Sequence, residues 1–162
     1  MSIDECLQKV FIPWYRKNVR SEILFSDHPL YSFQLQPRYN FPIYEYIKYM
    51  FRCYRTDEQD IELLLISMIY MKRLLENIKQ KNEFDCSFSS TNGITIFCIC
   101  FLLASKYIMD DPINNKELRI VLFDIRIPLF AVNHLEIELL ELIKYQLYIS
   151  HEEYQSLLQQ VN

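Results

Sequence analysis

The chain has 162 residues, 51% of them hydrophobic, and a formal net charge of −4 at pH 7. That length suits one domain with a real core. The mildly acidic balance gives no electrostatic ground for binding nucleic acid or an anionic membrane surface, where clustered Lys and Arg are needed. The single glycine argues against an all-β fold, because tight hairpins and bulges lean on glycine for positive φ.

In chain order, Ser2 and Glu5 have the spacing of a capping box that opens a short helix. That helix is expected to end near Ile12, since the residue before Pro13 is pushed out of the α region. A second helical segment, "WYRKNVRSEILF", follows. Residues 26–41 contain His-Pro, Gln-Pro and Phe-Pro steps and read as an extended loop. Pro42 suits the first turn of the next helix, and "PIYEYIKYMFRCY" places Ile43, Ile47, Met50 and Tyr54 on one side. Thr56, with Gln59 three residues on, caps a longer helix. Asp57 and Glu58 favour its N-terminal dipole. Its core stripe is Ile61, Leu64, Leu65, Met68, Ile69 and Leu75, and Lys72, Arg73, Lys79 and Lys81 gather at its far end.

A polar linker, "NEFDCSFSSTN", leads into "GITIFCICFLLASKYIMDD". This run is apolar all the way round, as expected of a helix at the centre of a bundle. It is too short to span a bilayer, which takes about twenty apolar residues, and Lys106, Asp110 and Asp111 close it off. No membrane role is expected. "DDPINN" is a turn, and "KELRIVLF" a short helix with Leu118, Val121 and Leu122 inward. Pro128 opens "PLFAVNHLEIELLELIKYQL". Ser150 with Glu153 is a further capping box, so a last helix covers about residues 151–160.

The five cysteines are Cys6, Cys53, Cys86, Cys98 and Cys100. An odd number without a secretory signal points to a reducing compartment, here cytoplasm or nucleus. Cys98 and Cys100 diverge on a helix, and His28, His134 and His151 stand singly, so no zinc spacing is present. The thiols are expected to be buried and inert. There is no Gly-rich phosphate loop, His-Glu-x-x-His or Gly-x-Ser-x-Gly. His134, near Glu136 and Glu138, reads as a helix-surface histidine. A non-enzymatic chain without cofactor, metal or small-molecule substrate is expected.

The helix after Pro128 carries more apolar residues than a bundle edge requires. At about 100° per residue, Leu135, Leu139 and Leu142 share one face with Val132 nearby. Glu136, Leu140 and Leu147 fall on another line, roughly 120° around. Glu138 and Glu141 take the solvated side. The second line reads either as deeper burial or as an interface of apolar anchors with a fixed polar group. Lys106 raises the same question. It either snorkels to water and offsets the helix dipole, or faces a glutamate on a neighbouring helix.

Three phrases, "LISMIYMKRLLE", "TIFCICFLLASKYIMDDPINN" and "NHLEIELLELIKYQLYIS", resemble the cyclin box in order and separation. The Asp-Asp-x-x-x-Asn segment is most similar to the P/U-type, phosphate-response-type cyclins. The resemblance implies a five-helix cyclin box over residues 42–150, an N-terminal extension over 1–41 and a C-terminal helix over 151–162. Few residues follow the box, which fits the single-box branch. By resemblance, Lys106 and Glu136 match the lysine and glutamate that hydrogen-bond backbone near the C-helix of a cyclin-dependent protein kinase. Tyr107 stands where the family packs an aromatic on that helix, and Leu140 and Leu147 where it has contacting leucines. Lys72 stands where many cyclins have aspartate. "PIYEYIKYM" lacks the Met-Arg-Ala-Ile-Leu phrase, so the resemblance does not extend to the groove that docks Arg-x-Leu peptides. The implied function is a non-catalytic subunit that activates a kinase. The competing reading is a helical adaptor or transcription scaffold with this fold and no kinase.

Overall fold

The structure, a computed structural model, describes residues 2–20, 29–35, 39, 41–54, 59–81, 87–89, 92–123 and 127–159, the side chains of Arg20, Lys81 and Leu122 excepted. It is all-α. Among the described residues the only strands are β1 (Val19–Arg20) and β2 (Phe88–Ser89), which form a two-residue parallel bridge. No described helix is long and apolar enough to cross a membrane.

The fold is organised around the apolar run. It forms α5 (Gly93–Ile108), in which every residue from Thr95 to Ser105 is buried. Each large apolar side chain there contributes roughly 1.5–3 kcal/mol by leaving water. The longest helix, α4 (Asp60–Lys81), packs along it. On another side lies α3 (Ile43–Tyr54), where the Phe51 and Phe101 rings meet edge to face at 5.4 Å and the Cys98 thiol lies 3.6 Å from the Met50 sulfur. Two further helices, α6 (Asn115–Leu122) and α7 (Leu129–Leu142), also pack on α5, and α8 (His151–Gln159) packs on α4.

Several expectations are corrected. The N-terminal helix does not stop at Ile12. It runs as α1 (Ile3–Cys6), a π-helical turn (Leu7–Phe11) and α2 (Ile12–Lys17). The Ser2–Glu5 capping box opens it, and the Ile12 N–H reaches back five residues to the Leu7 carbonyl. The widened turn carries the chain past Pro13, whose ring clashes with the preceding turn in an unbroken α-helix. The following segment is helical only to Lys17, and its part beyond Arg20 lies outside the described residues. At Asn18 the side chain donates to the Trp14 carbonyl at 2.8 Å and α2 ends, and Val19–Arg20 turns to pair with Phe88–Ser89. Within 26–41, Tyr31–Phe33 form a 3₁₀ turn with Leu30 and Phe33 fully buried, so this part is not extended, and residues 26–28, 36–38 and 40 lie outside the described residues. The N-terminal residues Cys6, Leu7, Val10 and Phe11 belong to the same core as α4 and α5.

Pro42 precedes α3, where its carbonyl accepts from the Tyr46 N–H at 3.0 Å. Tyr46 and Phe51 join Ile47 and Met50 in the core, while Ile43 and Tyr54 are half-buried. In α4 a single stripe is too narrow a description. Every residue from Leu63 to Met71 is buried, because α5 covers one side and α1, α7 and α8 the other. Thr56, Asp57 and Glu58, the expected cap, lie outside the described residues. The half-buried Lys72 sets its ammonium over the Trp14 ring, 5.9 Å from the centroid. Asn114, within the expected turn, caps α6 in a full capping box with Glu117. The box at α8 is half made. Ser150 Oγ accepts from the Glu153 N–H at 3.1 Å, but the Glu153 carboxylate turns to Arg73.

The thiols are not uniformly buried. Cys6, Cys98 and Cys100 are, but Cys53 is exposed on α3, and Cys86 lies outside the described residues. Burial pushes the Cys6 thiol up from 9.0 to about 11 and moves Cys98 and Cys100 further in the same direction.

Candidate partner-binding surface

The buried length of α5 ends at Ser105, whose hydroxyl donates back to the Leu102 carbonyl at 2.8 Å. The next residue, Lys106, leaves the core. Its ammonium donates to Glu136 Oε1 on α7 at 2.5 Å and to Asn115 Oδ1, the first residue of α6, at 2.7 Å. The same Asn115 amide donates to Glu136 Oε2 at 2.7 Å and to Asn133 Oδ1 at 2.9 Å. Three helix segments thus meet in one polar cluster. The Glu136 side chain is only 14% exposed, and a carboxylate at that depth is costly unless paired and hydrogen-bonded. Here each oxygen has its own donor. Lys106, 36% exposed, spends two of its three N–H bonds on these acceptors, which leaves one for an acceptor outside the chain.

Apolar side chains flank the cluster. Tyr107 is 44% exposed, and Leu140, one turn beyond Glu136, is half-buried against the core. Phe130 and Ile137, seven residues apart on the outer side of α7, are 74% and 52% exposed. They line a groove of about 530 Å³ between α7 and the 3₁₀ turn, together with Ser32, Leu35 and Leu135. Asn133 lines the same groove and bonds Asn115, so groove and polar cluster are continuous. His134 is exposed, 3.8 Å from Glu138. Glu138 itself is half-buried, not fully solvated.

Leu147 is not where helical arithmetic puts it. The helix ends at Leu142, five residues early, and Leu147 lies half-buried in a non-helical strap over residues 143–150. Lys144 and Tyr145 are both left-handed, each with φ 55°, at a cost of about 1–2 kcal/mol per residue for side chains with a Cβ. The strap is held from α4 by three side chains spaced three and four apart. Asn77 Nδ2 donates to the Leu142 carbonyl at 3.2 Å, and the Tyr70 hydroxyl to the Leu147 carbonyl at 3.1 Å. Arg73 donates to the Gln146 carbonyl, to the Tyr148 carbonyl at 2.8 Å and to Glu153 Oε2 at 2.6 Å. Charge-assisted bonds of this kind are each worth about 1.5–3 kcal/mol, enough to offset the left-handed residues.

Of the five residues singled out in the sequence, the structure brings Lys106 and Glu136 into contact, with Tyr107 beside Lys106 in sequence and Leu140 one turn from Glu136. Leu147 reaches the face by the strap. Sequence reasoning gave no role to Asn115, although it ends the Asp-Asp-x-x-x-Asn segment, nor to Asn133; both depend on contacts between helices. Tyr70 and Arg73 lie in one of the quoted phrases, but neither they nor Asn77 were assigned a role, although their i, i+3, i+7 spacing marks one helix face. No family model, curated protein or solved structure matches the chain.

Proposed function

We propose that the chain is a cyclin-like, non-catalytic regulatory subunit that binds and activates a cyclin-dependent protein kinase. One observation carries the reading. Lys106 and Glu136, the two polar residues that the cyclin resemblance singles out, stand 2.5 Å apart on neighbouring helices, beside exposed Tyr107 and an apolar groove. An unpartnered kinase of this class keeps its C-helix turned away, so its Lys–Glu ion pair is not in place. A subunit that binds the inward state more tightly shifts the population toward it. Tyr107, Leu140 and Leu147 supply apolar contact. Lys106 and Glu136 fix the register by hydrogen-bonding the partner backbone.

The test is co-purification and phosphotransfer. Retention of a kinase with stimulated activity supports the reading, and a non-kinase partner alone supports the adaptor. Lys106→Ala or Glu136→Ala weakens kinase binding by roughly 2–5 kcal/mol, the loss typical of removing one partner from a buried charged pair. Both variants binding like the wild type rejects the assignment.

A further inference from the structure

We infer that Arg73 is a positioning residue for the partner surface: from α4 it locks the 143–150 strap in one conformation before any partner arrives. The inference rests on the kinase-subunit reading for what the surface meets, and on geometry alone for what Arg73 does.

The strap is anchored at its start by fully buried Ile143, and Leu147 and Ile149 pack partly on the core, but burial does not fix its left-handed corner or its outer rings. Lys144 and Tyr145 are left-handed without being glycine, and their backbone bonds are short local ones to Glu141 and Leu140. Its outer side chains, Tyr145 and Tyr148, are 61% and 76% exposed, so they add little burial to fix it. One guanidinium, itself only 14% exposed, spans the segment. It takes the carbonyls of Gln146 and Tyr148 on either side of Leu147, and Glu153 in the first turn of α8. A planar fork with several donors does this where a lysine ammonium does not. The strap thereby offers Leu147 and two aromatic rings at a fixed height beside α7. Rigid aromatic anchors bind with less ordering cost than mobile ones. Arg73 thus acts on the partner through the strap.

The experiment compares the full-length chain with Arg73→Gln, Arg73→Lys, Glu153→Gln and Lys106→Ala. Hydrogen exchange is read over residues 143–150 and over α5, and binding is measured to a recombinant cyclin-dependent kinase that the wild-type chain activates. In Arg73→Gln, strap exchange rises about tenfold or more while α5 protection holds, since local opening is separable from global unfolding, and kinase binding weakens about tenfold or more through the lost preorganisation. Arg73→Lys falls between, and Glu153→Gln, which leaves both carbonyl bonds, changes less. Lys106→Ala weakens binding without loosening the strap. Unchanged strap exchange in Arg73→Gln overturns the role of Arg73 whatever the partner. A loosened strap with wild-type affinity overturns its role in the surface. A wild-type chain that binds and activates no kinase refutes the functional reading, and the surface role with it.

Discussion

Gly93, the only glycine, opens α5, and replacing it with alanine tests how the N-terminal segment closes the core. A Cβ at that position would stand 1.9 Å from the Tyr15 hydroxyl oxygen and 2.9 Å from Tyr15 Cζ, where ordinary contact begins at 3.4 Å. A surface side chain would swing aside, but Tyr15 is 7% exposed and stacked between Phe11 and Phe88, with centroids 5.7 and 6.2 Å away and rings within 16° of parallel. Two effects compete. Alanine gains up to about 1 kcal/mol of helix propensity over glycine. Overpacking against a ring that cannot move costs about 1–3 kcal/mol, occasionally more. With an overlap this deep the second effect wins, and the expected net loss for Gly93→Ala is about 2 kcal/mol. Urea denaturation reads it as a lower midpoint at constant slope. Tyr15→Phe removes the oxygen at 1.9 Å and leaves the carbon at 2.9 Å, so in that background the loss shrinks by about 1 kcal/mol, a coupling typical of residues in contact. A Gly93→Ala protein as stable as the wild type refutes the packing argument. So does an equal loss in both backgrounds.

Cys53 reacts with maleimide in the native chain, while Cys6, Cys98 and Cys100 label only on unfolding. Peptide mapping checks this, and early labelling of Cys98 contradicts the burial of α5. Stability falls at alkaline pH. A thiol raised in the folded chain contributes stability that is complete below its ordinary value and lost as pH rises through the folded one. For Cys6 that window runs from 9.0 to about 11, and Cys98 and Cys100 act in the same direction. The urea midpoint therefore drops steadily above pH 9, and less steeply in Cys6→Ala. A flat midpoint up to pH 11 would exclude the linkage.

The parts legible in the sequence are those whose cause is local. The apolar surround of α5 and the abrupt polar end at Lys106 show a central helix without any knowledge of its neighbours. The Ser2–Glu5 box is a contact between residues three apart, and it forms. The end of α7 is not local. "ELIKYQL" contains neither glycine nor proline, so periodicity continues through it. The helix stops because Ile143 is buried, two ordinary residues turn left-handed, and α4, some seventy residues earlier, takes the freed carbonyls. Pro13 fails in the opposite sense. The rule that proline ends a helix assumes regular α geometry upstream, and a π turn removes that premise. Asn115 reads locally as one more polar residue in a turn. Only the meeting of α5, α6 and α7 gives it three partners.

On the proposed reading, the polar cluster also accounts for how a partner-binding face stays stable on its own. A Glu136 carboxylate left without partners at 14% exposure would be costly to keep out of water. Asn115 and Lys106 satisfy both of its oxygens within the chain, so the charge is already compensated when a partner arrives. Burying a paired cluster under a second protein costs less than burying either charge alone, and the remaining N–H of Lys106 needs only one backbone acceptor. The two supports sit at separate places and act on different things. Asn115 holds the charges and Arg73 holds the apolar strap, and both are braced on helices packed against α5. Affinity from such a surface depends less on its area than on how little has to be ordered on binding. On the proposed reading, a loss at either support is therefore expected to weaken partner binding while leaving the core of α4 and α5 intact.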